Sequence, residues 1–163
     1  MKKFALAILT LTLAACGTPL SAPTPTPVPT LAPPITPLPA DTLVIFNRAG
    51  GIAYTNKTLT ILLDGNARLE DSAEVTPKEW MLSADQLASL KIAFDDPGFA
   101  ESPFDTIVNC NDCYVDTINA LTSNGPKAAR VDQADIYSGN NVTVPPALTQ
   151  AITLLAEIMN SAP

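Results

Sequence analysis

Nine of the chain's 16 prolines fall between Pro19 and Pro39, separated mostly by threonine, alanine and valine, and this tract limits what the chain can fold into more than any other feature. Proline fixes its own φ and donates no backbone hydrogen bond, so a run of this density supports neither helix nor sheet. It favours an extended polyproline II path at about 3.1 Å per residue, so the tract can reach roughly 65 Å. We read it as a stalk. Folding is then confined to the roughly 120 residues from Asp41 to Asn160, enough for one modest hydrophobic core.

The residues before the stalk explain why one is present. The chain opens "MKKFALAILTLTLAAC", with two lysines, an apolar stretch from Phe4 to Ala14, and a cysteine. The stretch is too short for a stable spanning helix and has the flanks of an export signal. "LAAC", Leu13 to Cys16, matches the pattern cleaved before its cysteine by the bacterial lipoprotein signal peptidase. Residues 1–15 are therefore expected to be a signal peptide, and 16–40 a lipidated N-terminus and linker. An α+β domain follows over 41–160, with a tail at 161–163. The expected location is the cell membrane or outer membrane, facing outside the cytoplasm, with Cys16 carrying fatty acyl chains such as palmitate. More than one chain is needed for stable anchoring, at about 0.8 kcal/mol per buried methylene.

Charge narrows the partners. Removing Lys2 and Lys3 leaves 7 basic against 16 acidic residues, a formal charge of −9. Such a surface repels phosphodiester backbones, and no nucleic-acid partner is expected.

Within the domain, "TLVIFNR" (Thr42 to Arg48) reads as a first strand and "YTNKTLTILLDG" as a second, with Leu59, Ile61 and Leu63 alternating against Thr58, Thr60 and Leu62. Asp64-Gly65 favours a tight hairpin into "NARLEDSAEV". In "LSADQLASLKIAFDD", Ser83 and Gln86 form a capping box, and Leu87, Leu90 and Phe94 follow at helical spacing, with an end near Asp95-Asp96. "CYVDTINAL" and "KAARVDQADI" read as two strands joined by Ser123 to Pro126. Pro146 suits a first helical turn, and Leu148, Ile152, Leu155 and Met159 trace one helix face. The fold class is α+β, a small antiparallel sheet of about four to five strands packed on one face by two α-helices.

The chemistry is notable for an omission. The chain contains no histidine, which removes the commonest neutral-pH base and the usual zinc ligand. Asp105, Asp112, Asp116, Asp132 and Asp135 are read as solvated surface carboxylates. We expect no enzyme, no cofactor and no metal site. The chain's "RAGGIAYTNKT" is no phosphate loop, because it leads from strand to strand and lacks the required spacing. Gly50 and Gly51 are read as a bend or bulge needing positive φ, and the bend is a candidate surface for gripping a protein. Cys110 and Cys113 are expected to form a short structural disulfide outside the cytoplasm, with redox chemistry and free thiols as the alternatives.

Four segments, "FNRAGGIAYTNKTLTILLDGNARL", "LSADQLASLKIAFDDPGF", "DCYVDTINALTSNG" and "VPPALTQAITLLAEIM", occur in the order of those of the emfourin family, which the domain resembles. Gly50 and Gly51, Asp64 and Gly65, Phe99, Tyr114, Gly125, and Pro145, Pro146 and Leu148 occupy the pattern's places. Ala49 stands where serine is common, Cys110 and Cys113 are additions, and the segment from Glu70 to Met81 is longer than usual. Emfourin-like proteins are small inhibitors of thermolysin-like metalloproteases. The resemblance implies a protein-binding module that inhibits or regulates an extracellular metalloprotease, with Arg48, Gly50, Gly51, Ile52 and Tyr54 as the candidate binding loop. The alternative is a non-enzymatic envelope lipoprotein of structural or general protein-binding role that retains only the fold.

Overall fold

The computed structural model describes residues 37–100, 104–105, 112–133 and 144–163 of the chain. The expected signal peptide, Cys16 and the expected stalk up to residue 36 lie outside the described residues, as do Cys110 and Asp135. No helix among the described residues is long and apolar enough to cross a membrane.

The elements are β1 (Thr42–Gly50), β2 (Thr55–Leu62), β3 (Asn66–Asp71), β4 (Lys78–Met81), α1 (Ala84–Asp95), α2 (Pro97–Ala100), β5 (Phe104–Asp105), β6 (Tyr114–Thr122), β7 (Gly125–Asp132) and α3 (Pro146–Asn160). They form an α+β domain around one sheet, in the order β4-β3-β2-β1-β6-β7-β5. Six strands are antiparallel. The two-residue β5 lies parallel to β7 at the edge. The sheet is thus larger than the sequence suggests.

Period-two patterning builds the core face. Val44, Phe46, Leu59, Ile61, Ala67, Leu69, Ile118, Ala120, Ala129 and Val131 are buried, and cross-strand register sets them side by side: Phe46 opposite Leu59 and Ile118, Val44 opposite Ile61 and Ala120. Arg68 and Glu70, the intervening positions of β3, face water. Leu63 does not join the alternation, because β2 ends at Leu62 and the Leu63 side chain is exposed.

The helices close this face. The capping box of α1 is complete: the Ser83 hydroxyl accepts from the Gln86 N–H at 3.2 Å, and the Gln86 side chain accepts from the Ser83 N–H at 3.0 Å. Leu90, Ala93 and Phe94 point inward, and the Phe94 ring meets Phe99 with centroids 5.3 Å apart. Helix α3 starts at Pro146, where a missing N–H costs nothing, and buries Leu148, Ala151, Ile152, Leu155, Ile158 and Met159. Each large apolar side chain taken out of water contributes about 1.5–3 kcal/mol before the entropy of ordering is subtracted.

The edge strand β4 has no clear signal in the sequence. "KEWM" is too short to display a period, and the strand exists because the free edge of β3 supplies partners, with Ala67 opposite Trp80 and Arg68 opposite Glu79.

Candidate functional site

The first strand travels from one end of the sheet to the other. At its start, the Thr42 N–H donates to the Pro39 carbonyl at 3.0 Å and the Leu63 N–H to the Asp41 carbonyl at 2.8 Å, which fixes the point where the proline tract enters. At its end, Gly50 pairs with Thr55 of β2 and with Tyr114 of β6. Between Gly50 and Thr55 the chain turns through Gly51, Ile52, Ala53 and Tyr54.

Both glycines are demanded by geometry. Gly50 and Gly51 have φ of +121° and +75°, outside the range open to most L-residues. A Cβ on Gly50 would sit 2.3 Å from the Cys113 carbonyl oxygen, and one on Gly51 would sit 2.7 Å from the Tyr114 ring. The absence of side chains thus lets the start of β6 approach the tip closely. The Gly51 N–H donates to the Cys113 carbonyl at 3.3 Å, and the Tyr54 N–H closes the turn on the Gly51 carbonyl at 3.0 Å. Tyr54 itself has φ +49°, the one non-glycine residue with positive φ among those described.

The base of the tip is held by charge. Arg48 pairs with Asp116 through two contacts, Nε to Oδ1 at 2.8 Å and Nη2 to Oδ2 at 2.9 Å, and Gln133 donates to the same carboxylate at 3.1 Å. The Asp116 side chain is fully buried and that of Arg48 is 19% exposed. The Arg48 guanidinium also lies 5.5 Å from the centre of the Phe46 ring, within range of a cation–π attraction. One strand over, Lys57 pairs with Asp71 at 2.9 Å. Register places all four in one row, Asp71 opposite Lys57, Lys57 opposite Arg48, and Arg48 opposite Asp116. This row sits on the core face, directly beyond the layer of Phe46, Leu59 and Ile118. It ends the apolar core with charges that are mutually neutralised.

Above the row the chemistry reverses. Residues 49–56, Ala-Gly-Gly-Ile-Ala-Tyr-Thr-Asn, carry no charge, and Ile52 and Tyr54 are 88% and 87% exposed. Beside them a concavity of about 350 Å³ is lined by residues including Ala49, Gly51, Tyr54, Asn56, Cys113 and Val115. Of the five loop residues singled out in the sequence, Ile52 and Tyr54 present side chains outward, Gly50 and Gly51 shape the backbone, and Arg48 is turned toward Asp116.

The carboxylates divide differently from the expectation. Asp112 is exposed, but Asp116 and Asp132 are buried and engaged rather than solvated. They also lie on opposite faces, since Asp116 pairs in register with Val131 and Asp132 with Val115. Asp105 lies in β5, opposite Arg130 of β7. Among the described residues there is no cluster of three or more side chains able to hold a metal ion. The expected Cys110–Cys113 disulfide is not found among the described residues. No disulfide joins two described residues, because Cys113 is the only cysteine among them and Cys110 lies outside; Cys113 itself has an interaction partner.

The bidentate pair on Arg48 has no local signature, because its partner is 68 positions away. An arginine alternating with Phe46 on the same strand face was the available hint. Comparison of the chain with protein-family models, with curated proteins and with solved structures finds no match to any of them.

Proposed function

We propose that this chain is a non-catalytic, lipid-anchored protein-binding module, held outside the cytoplasm through Cys16, that uses the β1–β2 tip to occupy the cleft of a thermolysin-like metalloprotease. The observation that carries the reading is the pairing of Ile52 and Tyr54, almost wholly exposed, on a turn whose base is fixed by Arg48 and Asp116. Large apolar side chains on a preorganised support gain from burial against a partner while losing little conformational freedom. An aromatic residue beside an aliphatic one is also the composition of an interface anchor. The choice of a metalloprotease rests on the emfourin-like order of segments.

The test is hydrolysis of a peptide substrate by thermolysin in the presence of the mature chain and of Ile52→Ser and Tyr54→Ser variants. Inhibition by the parent, weakened at least about tenfold in each variant, is expected, since losing a buried anchor costs about 2 kcal/mol or more. Folded parent protein that neither inhibits nor binds thermolysin-like enzymes would exclude the protease assignment.

A further inference from the structure

Strand β4 ends the sheet, and its outer edge has no partner among the described residues. One bond fixes which of its backbone groups are already used: the Leu82 N–H donates to the Gly65 carbonyl at 2.9 Å. Carrying the Met81–Asn66 register one step on sets Leu82 opposite Gly65, so this is a hydrogen-bonded pair, and such pairs alternate with non-bonded ones along an antiparallel ladder. Lys78 and Trp80 therefore turn their N–H and C=O groups toward β3, while those of Glu79 and Met81 point out of the sheet. An unpaired edge of this kind is a template for a further strand. The opposite edge offers less, since β5 is two residues long. The side chains of β4 alternate too. Trp80, opposite Ala67, is partly buried against the core, whereas Glu79 and Met81 face the other way and Met81 is 59% exposed.

We infer that the strand completing this edge is β4 of a second copy of the chain, running antiparallel about a twofold axis that passes between the two Trp80 residues and joins the two sheets into one. The choice of partner follows from register, because a twofold contact must be complementary to itself. Registers centred on Glu79, on Met81 and on Trp80 use the residues of the strand. Centring on Glu79 sets two carboxylates directly opposite each other, and part of its ladder needs an N–H that Pro77 lacks. Centring on Met81 needs Ser83, whose N–H donates to the Gln86 side chain and whose carbonyl accepts from the Leu87 N–H, both within α1 and its cap. Centring on Trp80 has neither fault. Glu79 then faces the second copy's Met81, Met81 faces the second copy's Glu79, and each pair exchanges two backbone hydrogen bonds. The two Trp80 residues meet as a non-hydrogen-bonded pair, the kind that brings side chains closest, and their rings continue each core across the junction. The inference stands on the sheet edge alone and is independent of the protease reading.

The test is sedimentation equilibrium of the mature chain carrying Cys16→Ser, so that no acyl group contributes to association. A four-residue strand covers less than the roughly 800 Å² per partner of a standard interface, so a weak dimer is expected, half formed at about 100 µM, and the range from about 2 to about 500 µM brackets it. Substitution at Met81 reads the register, because its neighbour across the junction is Glu79. Met81→Lys adds an opposite-charge pair on each side of the axis and is expected to strengthen association about fivefold, whereas Met81→Glu adds like-charge pairs and is expected to weaken it about fivefold. Trp80 is the chain's one tryptophan, and its emission is expected to move to shorter wavelength as the dimer forms. A single-chain mass for the parent throughout the range overturns the inference. Association that responds alike to Met81→Lys and Met81→Glu, or that leaves the Trp80 emission unchanged, places the contact elsewhere and overturns it too. Should Met81→Glu fail to fold, the parent against Met81→Lys still decides, since no gain from the lysine excludes this register.

Discussion

The β1–β2 tip and the β2–β3 turn both reverse the chain beside a glycine of positive φ, yet they treat their side chains in opposite ways. In the β2–β3 turn, Asp64 accepts from the Asn66 backbone N–H at 2.9 Å and from its side-chain amide at 2.7 Å, and Gly65 lies close to Met81 and Leu87. The turn is closed by its own polar groups, and its glycine is covered by neighbouring elements. The tip satisfies its backbone against Cys113 and anchors its base through Arg48, leaving Ile52 and Tyr54 in water. The tip thus holds two large apolar side chains in water on a fixed base, which is what the proposed binding role needs. The difference teaches that the glycine signal locates a turn, while the neighbouring strand decides whether the turn is sealed or open.

Breaking the support of the tip gives the largest expected change. Asp116→Ala leaves the Arg48 guanidinium largely buried without its carboxylate, and a loss of about 3 kcal/mol in urea unfolding is expected, the lower end for a broken buried pair because Arg48 is partly solvated. Replacing both, Arg48→Met with Asp116→Leu, is expected to recover most of that loss. A second contrast lies between glycines. Gly50→Ala meets the Cys113 carbonyl as well as an unfavourable φ and is expected to cost about 2 kcal/mol or more, whereas Gly125→Ala, with nothing within 4 Å, carries only the backbone cost of about 1 kcal/mol. Equal losses at the two sites would remove the close approach of β6 as the reason for Gly50.

The tip itself is expected to respond with the opposite sign. Tyr54 occupies the left-handed region without being glycine, a conformation costing about 1–2 kcal/mol. After the greater freedom of glycine in the unfolded chain is subtracted, Tyr54→Gly is expected to leave stability unchanged or raise it by up to about 1 kcal/mol. The same change is expected to weaken partner binding, and a clear loss of stability would show that the tyrosine is held by contacts within its own domain.

The smallest expected effect is on the sealed turn. Hydrogen bonds from the Asn66 backbone, and then from its side-chain amide, hold the Asp64 carboxyl below its ordinary pKa. The Ala73 backbone N–H, and then Lys57, do the same for Asp71. A depressed folded-state pKa means that these contributions are present above the unfolded carboxylate value, about 3.9, and fade as pH falls through the lower folded value. Asp64→Asn is expected to flatten the fall of the urea midpoint between neutral and acidic pH slightly, and Asp71→Asn somewhat more. An unchanged profile in both variants would exclude these carboxylates as contributors to acid sensitivity.

What the sequence determined is what depends on neighbours along the chain. The proline tract, the Ser83–Gln86 capping box, Pro146 at the first turn of α3, the alternation through Leu59 and Ile61, and the turns at Gly50-Gly51 and Asp64-Gly65 are all written within a few residues. A helix or strand period is a local property. Tertiary structure decided the rest: that "KEWM" becomes a strand on the free edge of β3, that Asp116 and Asp132 are buried instead of solvated, and that Arg48 faces inward while Ile52 and Tyr54 do not. It also decided that Gly50 is needed for the approach of Cys113 as much as for its own φ. Each of these depends on which strand lies beside which, and strand order is settled by the packing of the whole sheet against its helices.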